Sequence, residues 1–449
     1  MLIGILAMAG IAQASSSMVT IHWKEEHQRI AGWGASGGNS SAEGFLKMNV
    51  EDQKRLCDLL FDPTVGIGLS MVRNEIYSWE LSPSQGVYDW TKDAAQVWLM
   101  QQAKQRGVKL FWSAAWSPPA WMKGNGKHVG GAIKPEHYQE YADLLSLYVK
   151  EYRKRFGLDM MGISITNEPE VNVDYQSSHW TGDTLRTFIK DHLGPTFAKQ
   201  HIKAQIIVPE TSTSDNFSTF ADPILADTDA AKYVGIVATH QYNQSYTGSV
   251  PKFPPLEPIK FSEAAVRSAK PRWETEVSFI GGKPDYGIKW GLGLAILADN
   301  AVVGADANAW LWWVFLNPWK DNEGLTDIDG KTFKVAKRLW AFGNYSRFVR
   351  PGYVRIEATP NPEEDVLVSA FKSPRGNKLV VVAINNSKTE RSIDFKIDGN
   401  SRIGSLEPWI TSADLDLQKQ TSVTVSSGRF TGKLVPESIT TYVTEDSRS

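Results

Sequence analysis

The residues best placed to do chemistry are carboxylates that directly follow short apolar runs. Gly162-Ile163-Ser164-Ile165-Thr166-Asn167-Glu168-Pro169-Glu170 is small and β-branched, then ends abruptly in polar residues and a proline. A strand this apolar is buried on both faces, as in a parallel sheet. Glu168, with Asn167 beside it, would then lie at the strand's carboxyl end and is the first candidate acid. A capping or salt-bridging glutamate would look the same in isolation. A second run, Arg272-Trp273-Glu274-Thr275-Glu276-Val277-Ser278, carries two glutamates on alternate positions that point the same way across the pleat. Glu276 is nearer the carboxyl end and is the better candidate; Glu274 is the lesser one. Two carboxylates facing each other suit glycosidic bond cleavage. A separation of about 5 to 5.5 Å supports retention through a nucleophile, and about 6.5 to 9.5 Å leaves room for water and inversion.

Other run ends add polar and aromatic groups. Arg73 closes Ile67–Arg73 and could hold a nucleophile ionised or serve a structural salt bridge. Trp116-Ser117-Pro118-Pro119-Ala120-Trp121 offers two rings on a rigid turn. His240-Gln241-Tyr242 follows another strand, and His240 is assigned hydrogen bonding rather than metal binding. No His/Asp/Glu cluster has ligand spacing along the chain, so no metal and no cofactor is expected. Trp310, Trp312 and Trp313 share one strand, and alternation puts the first two on one face and Trp313 on the other.

The elements that must position these residues alternate between strand and helix. Strands are expected at 29–34, 67–73, 109–116, 162–166, 204–209, 234–240, 272–277 and 307–315. Helices are expected at 93–106, 135–156, 183–197, near 223–225, at 262–269 and at 288–303. Eight strands at this cadence argue for a parallel sheet closed as a (β/α)8 TIM barrel, which places its chemistry at the carboxyl ends of the strands. The fourth and seventh strands face each other across the barrel mouth, so Glu168 and Glu276 can converge. From Val349 onward short alternating runs separated by turns such as Pro374-Arg375-Gly376-Asn377 read as an all-β sandwich. The predicted organisation is a signal peptide over 1–14, an N-terminal strand over 18–28 that joins the β domain, a catalytic barrel over 29–347 and a sandwich over 348–449.

Composition bounds the rest. The chain has 449 residues, 42% hydrophobic, with a formal net charge of −2, enough for a large core and with no bias toward nucleic acid or an anionic membrane. Seventeen tryptophans are unusual: some must be core, the default for any single one, and so many flat rings also suit a cleft that stacks on sugar faces. Cys57 is the only cysteine, so no internal disulfide forms. Met1–Ala14 is apolar and ends in Ala12-Gln13-Ala14, the pattern of a secretory signal without its basic start. Secretion to the extracellular or periplasmic side is expected, with no membrane anchor and a monomeric chain.

The signatures Trp116-Ser117-Pro118-Pro119, Ile165-Thr166-Asn167-Glu168-Pro169, Thr239-His240-Gln241-Tyr242, Trp273-Glu274-Thr275-Glu276 and Trp310-Leu311-Trp312-Trp313 occur in one order over nearly the whole chain. In this they resemble glycoside hydrolase family 30, retaining enzymes with a (β/α)8 barrel and a β-sandwich built from both chain ends. Phe348 to Ile356, Val380 to Asn385 and Trp409 to Ser412 look like the bacterial glucuronoxylan-type endo-β-1,4-xylanases. The resemblance implies Glu168 as acid/base and Glu276 as nucleophile. It also implies Asn167 on the sugar 2-hydroxyl, with Trp116, His240, Tyr242 and Trp312 shaping the subsite and xylan as substrate. In those xylanases an arginine soon after the eighth strand's Trp-Trp reads the glucuronate branch. Here the stretch is Val314 to Leu325, where neither Leu316 nor Asn317 can make a bidentate carboxylate contact and Lys320 offers only a point charge. The expectation is a hydrolase with weakened or absent glucuronate dependence. Other activities of that family remain alternatives: endo-β-1,6-glucanase, β-glucosidase or glucosylceramidase. A non-catalytic carbohydrate-binding barrel is an alternative of another class.

Overall fold

The apolar, β-branched runs form a closed parallel sheet in a computed structural model that describes residues 17–445 apart from 39, 246–256, 258 and 401. The signal-like stretch 1–14 lies outside the described residues. After β1 (Ser17–Arg29), the barrel strands are β2 (Gly32–Ser36), β3 (Met71–Ile76), β4 (Leu110–Ala115), β5 (Met160–Ser164), β6 (Gln205–Thr211), β7 (Val234–Thr239), β8 (Arg272–Glu274) and β9 (Ala309–Asn317). Each pairs in parallel with the next, and β9 pairs with both β8 and β2, which closes the eight. Nearly every residue of these strands is buried, because one face meets the barrel interior and the other the helices. Close approach is enforced locally: a Cβ on Gly34 would sit 2.6 Å from the Met71 carbonyl oxygen of β3.

The helices differ from expectation mainly in their ends. The long one runs Tyr138–Phe156, preceded by a single 3₁₀ turn at Pro135–His137, and stops at Gly157, whose φ of 66° is the left-handed form that glycine adopts freely. Two helices between β2 and β3, Ser41–Lys47 and Val50–Phe61, lie outside the expected set, although the second is amphipathic and buries Leu56, Cys57, Leu60 and Phe61. After β9 the chain adds a hairpin, β10 (Gly324–Asp329) and β11 (Thr332–Val335), with β10 alongside the far end of β9.

The remaining strands are β12 (Val354–Ala358), β13 (Val366–Lys372), β14 (Leu379–Asn385), β15 (Arg391–Asp398), β16 (Ser405–Thr411), β17 (Gln418–Lys419), β18 (Val423–Thr424), β19 (Arg429–Leu434) and β20 (Ser438–Thr444). With β1 they form the sandwich around a core of its own, including Val19, Ile21, Ile356, Val381, Phe395 and Tyr442. β1 lies between β12, antiparallel, and β15, parallel. The expected alternating runs are 353–358, 366–371, 379–384, 393–397, 423–425 and 440–443; β16, β17 and β19 are additions, Pro408 interrupting the first and Gly432 the last, while β17 has only two residues.

Candidate active site

Glu168 and Glu276 meet at the carboxyl end of the barrel. A carboxylate oxygen of each and a ring nitrogen of His240 all lie within 4.8 Å of one another. Glu168 stands just past β5, whose end is fixed from outside by the Tyr141 hydroxyl donating to the Ile165 carbonyl at 2.6 Å. Its backbone is left-handed, φ 46°, an arrangement held by the Glu168 N–H bond to the Glu210 carbonyl at 2.8 Å. Glu276 follows β8, and Glu274 behind it does not reach the cleft. The Glu274 carboxylate accepts the N–H groups of Glu276 and Leu311 at 3.1 and 3.4 Å, and burial holds its carboxyl well above the ordinary range.

Arg73 and His240 organise the two acids from below. Arg73 is fully buried, pairs its Nη1 with Glu276, and sends Nη2 to Asn167 Oδ1 at 2.5 Å and to Glu210 at 3.2 Å. The Tyr242 hydroxyl donates to Glu276 at 2.9 Å. His240 Nδ1 bonds Glu168 at 2.9 Å, and its Nε2 lies 3.7 Å from Glu210. Burial pulls the imidazole down, but the charge of Glu276, the bond to Glu168 and the nearby Glu210 carboxylate outweigh that and push it up to about 10, so the ring is a cation at neutral pH. Burial pushes the Glu276 carboxyl up, and Arg73 and then His240 counter that push while Glu168 adds to it; the net direction is upward. Glu210 is a third glutamate that sequence reasoning missed. Burial raises it, yet His240 and Arg73 more than compensate and hold it below the ordinary range. Its signal was the one that found Glu168, an acid directly after a buried strand, but Pro209 was read as the strand's end.

These groups floor a cavity of about 1340 Å³ lined by Trp116, Tyr175, Tyr242, Trp313 and Trp319 among others. Trp116 also stacks on the Arg73 guanidinium, 4.6 Å from ring centre. Two expected members are elsewhere. Trp312 is fully buried between the barrel and its helices, packed on Phe279 and Trp310, with its indole N–H on the Glu323 carbonyl at 2.6 Å. Alternation separated Trp312 from Trp313 correctly, but the inward face belongs to Trp313. Trp121 is half-buried outside the cavity, its N–H on the Ser82 carbonyl at 3.0 Å and its edge against His137, because the turn after Pro119 carries it away from the barrel axis. Lys320 is exposed and is not among the lining residues.

Glu168, His240 and Glu276 also correct the expectation that no ligand-like cluster exists. They are far apart in sequence and adjacent in space. As an ion site the trio is poorly matched: a protonated His240 has no lone pair to offer, and Arg73 already occupies Glu276.

Comparison with known proteins agrees with this architecture. Residues 72–327 match the model of O-glycosyl hydrolase family 30, and residues 352–442 match the glycosyl hydrolase family 30 β-sandwich domain. The chain is 32% identical over 361 residues to glucuronoxylanase XynC of Bacillus subtilis (strain 168), covering 79% of this chain and 78% of that one. It is 24% identical over 413 residues to lysosomal acid glucosylceramidase of Mus musculus, covering 83% and 78%. Among solved structures, the catalytic domain of the family 30 xylanase C from Talaromyces cellulolyticus superposes with a TM-score of 0.82 at 27% identity, covering 95% of this chain and all of that one. An α/β barrel with paired glutamates at its mouth, a sandwich completed by the first strand and two matching family models lead to one assignment: the chain is a glycosidase and belongs to glycoside hydrolase family 30.

Proposed function

We propose that the protein is a secreted, retaining β-1,4-xylan hydrolase, acting as an endo-xylanase or releasing xylobiose. The observation that carries the mechanism is the close approach of the two acids, an oxygen of each within 4.8 Å, which falls on the short side that suits a covalent intermediate rather than the wider gap of inverting pairs. In the first step Glu276 attacks the anomeric carbon while Glu168 gives its proton to the departing glycosidic oxygen. Arg73 and the Tyr242 hydroxyl steady the carboxylate before attack. The glycosyl ester removes the Glu276 charge. Glu168, now a carboxylate, takes a proton from water as that water attacks the same carbon, and Glu276 leaves with its charge restored. Asn167 Oδ1 is committed to Arg73, which leaves its Nδ2 to donate to the sugar 2-hydroxyl.

Strict glucuronate dependence is not expected. Leu316 is buried against the helices, Asn317 is spent on Asp321 at 2.9 Å, and no Lys or Arg appears among the described lining residues. The test is a product profile on linear xylo-oligosaccharides, glucuronoxylan and β-1,6-glucan. A xylose ladder or xylobiose from the linear substrate supports this function. Products from β-1,6-glucan alone would move the assignment to the glucanase alternative.

A further inference from the structure

The cleft wall beside Trp313 holds two carboxylates that the reaction does not use. Asp321 and Glu323 lie in the turn between β9 and β10, and the turn is braced from within. Asp321 Oδ1 accepts the Asn317 amide at 2.9 Å and the Glu323 N–H at 3.0 Å, while the Glu323 carbonyl accepts the Trp312 indole at 2.6 Å. The Glu323 carboxyl lies near that of Asp321 and near the Trp313 indole. Both acids line the active-site cavity, and every charged side chain among its described lining residues is acidic: Glu168, Asp174, Glu276, Asp321 and Glu323. The two buried cations of the site lie beneath it and face its other acids: Arg73 pairs with Glu276 and Glu210, and His240 bonds Glu168.

We propose that Asp321 and Glu323 act together as a charge filter, turning away xylan segments that carry a carboxylate branch beside Trp313 and admitting uncharged ones. The filter rests on the xylan reading above and sharpens it from indifference toward glucuronate to rejection of it. Burial, and after it the neighbouring Asp321 carboxylate, push the Glu323 carboxyl up to about 9. Glu323→Gln and Asp321→Asn each remove one acid from this wall, and the double variant removes both.

The experiment compares kcat/KM on a linear xylo-oligosaccharide with that on the same oligosaccharide bearing one glucuronate branch. The native enzyme should favour the linear substrate about tenfold, the order expected for like charges across a partly screened cleft, and added salt should narrow that ratio. Each single variant should narrow the preference, and Asp321→Asn/Glu323→Gln should lower it about tenfold. Equal rates on the two substrates in the native enzyme, a ratio that salt does not move, or an unchanged ratio in a folded double variant would each overturn the filter. Because the ratio is internal to each sample and the salt series needs no variant, a poorly folding mutant does not decide the matter. Failure of the native enzyme to cleave either substrate is a distinct result: it removes the xylan reading, and the filter with it.

Discussion

His240 sits among three carboxylates, and its charge is the most testable property of the site at the scale of single residues. Its folded pKa, raised to about 10 from an ordinary 6.5, means that the stability its cation contributes is complete below about 6.5 and is lost as pH climbs through about 10. Over that window the native protein should lose more thermal stability than a His240→Gln variant, measured by melting temperature at each pH. Glu210→Gln removes one of the negative neighbours, so the imidazole pKa should fall. The alkaline limb of the kcat profile should then move to lower pH, with kcat down ~10-fold and KM little changed. Glu276→Ala should lower turnover by at least ~1,000-fold, and added azide should restore release of the leaving group by taking the nucleophile's place. Much of this constellation was legible in sequence, because an acid after a buried strand is a strong pattern. Glu210 escaped because a proline preceded it. Trp312 was placed in the subsite on the family resemblance alone, and alternation could not correct that, because it tells that two neighbours face opposite ways and never which way is inward.

At the scale of elements, the strands of the barrel were readable because burial on both faces leaves unbroken apolar runs, such as Ala309–Asn317. Two periodic elements were nevertheless missed: Val50–Phe61, which buries Leu56, Cys57, Leu60 and Phe61 and exposes much of the rest, and β19, whose alternation places Gly432 where an apolar side chain would mark the buried face. β1 offers a clean test of what one strand contributes. Val19 and Ile21 are fully buried in the sandwich core. Ile21→Ala should destabilise the protein by ~3 kcal/mol through lost burial and the cavity it leaves, read from denaturant unfolding. Because β1 touches the sandwich and the reacting acids belong to the barrel, kcat at temperatures well below the melting point should be nearly unchanged.

The whole molecule is held as one unit by the last barrel helix, Lys337–Ser346. The Asn344 amide donates to the Trp409 carbonyl, the Ile439 carbonyl and the Thr441 hydroxyl, and the Thr441 hydroxyl returns a bond to the Asn344 carbonyl at 2.8 Å. Asn344→Leu strands those buried acceptors, and calorimetry should then show the single melting transition of the native chain lowered or split into two. The arrangement of β1 carries a consequence for how the protein is made. Thr20 N–H bonds the Thr359 hydroxyl across 339 residues, and the neighbouring rungs of β1 are equally remote from β12 and β15. During synthesis β1 therefore emerges long before Val354–Ala358 and Arg391–Asp398, and it stays unpaired and half apolar until both have been made. Closure of the sandwich is tied to those distant strands, and until they arrive the edges of β1 are open to wrong partners.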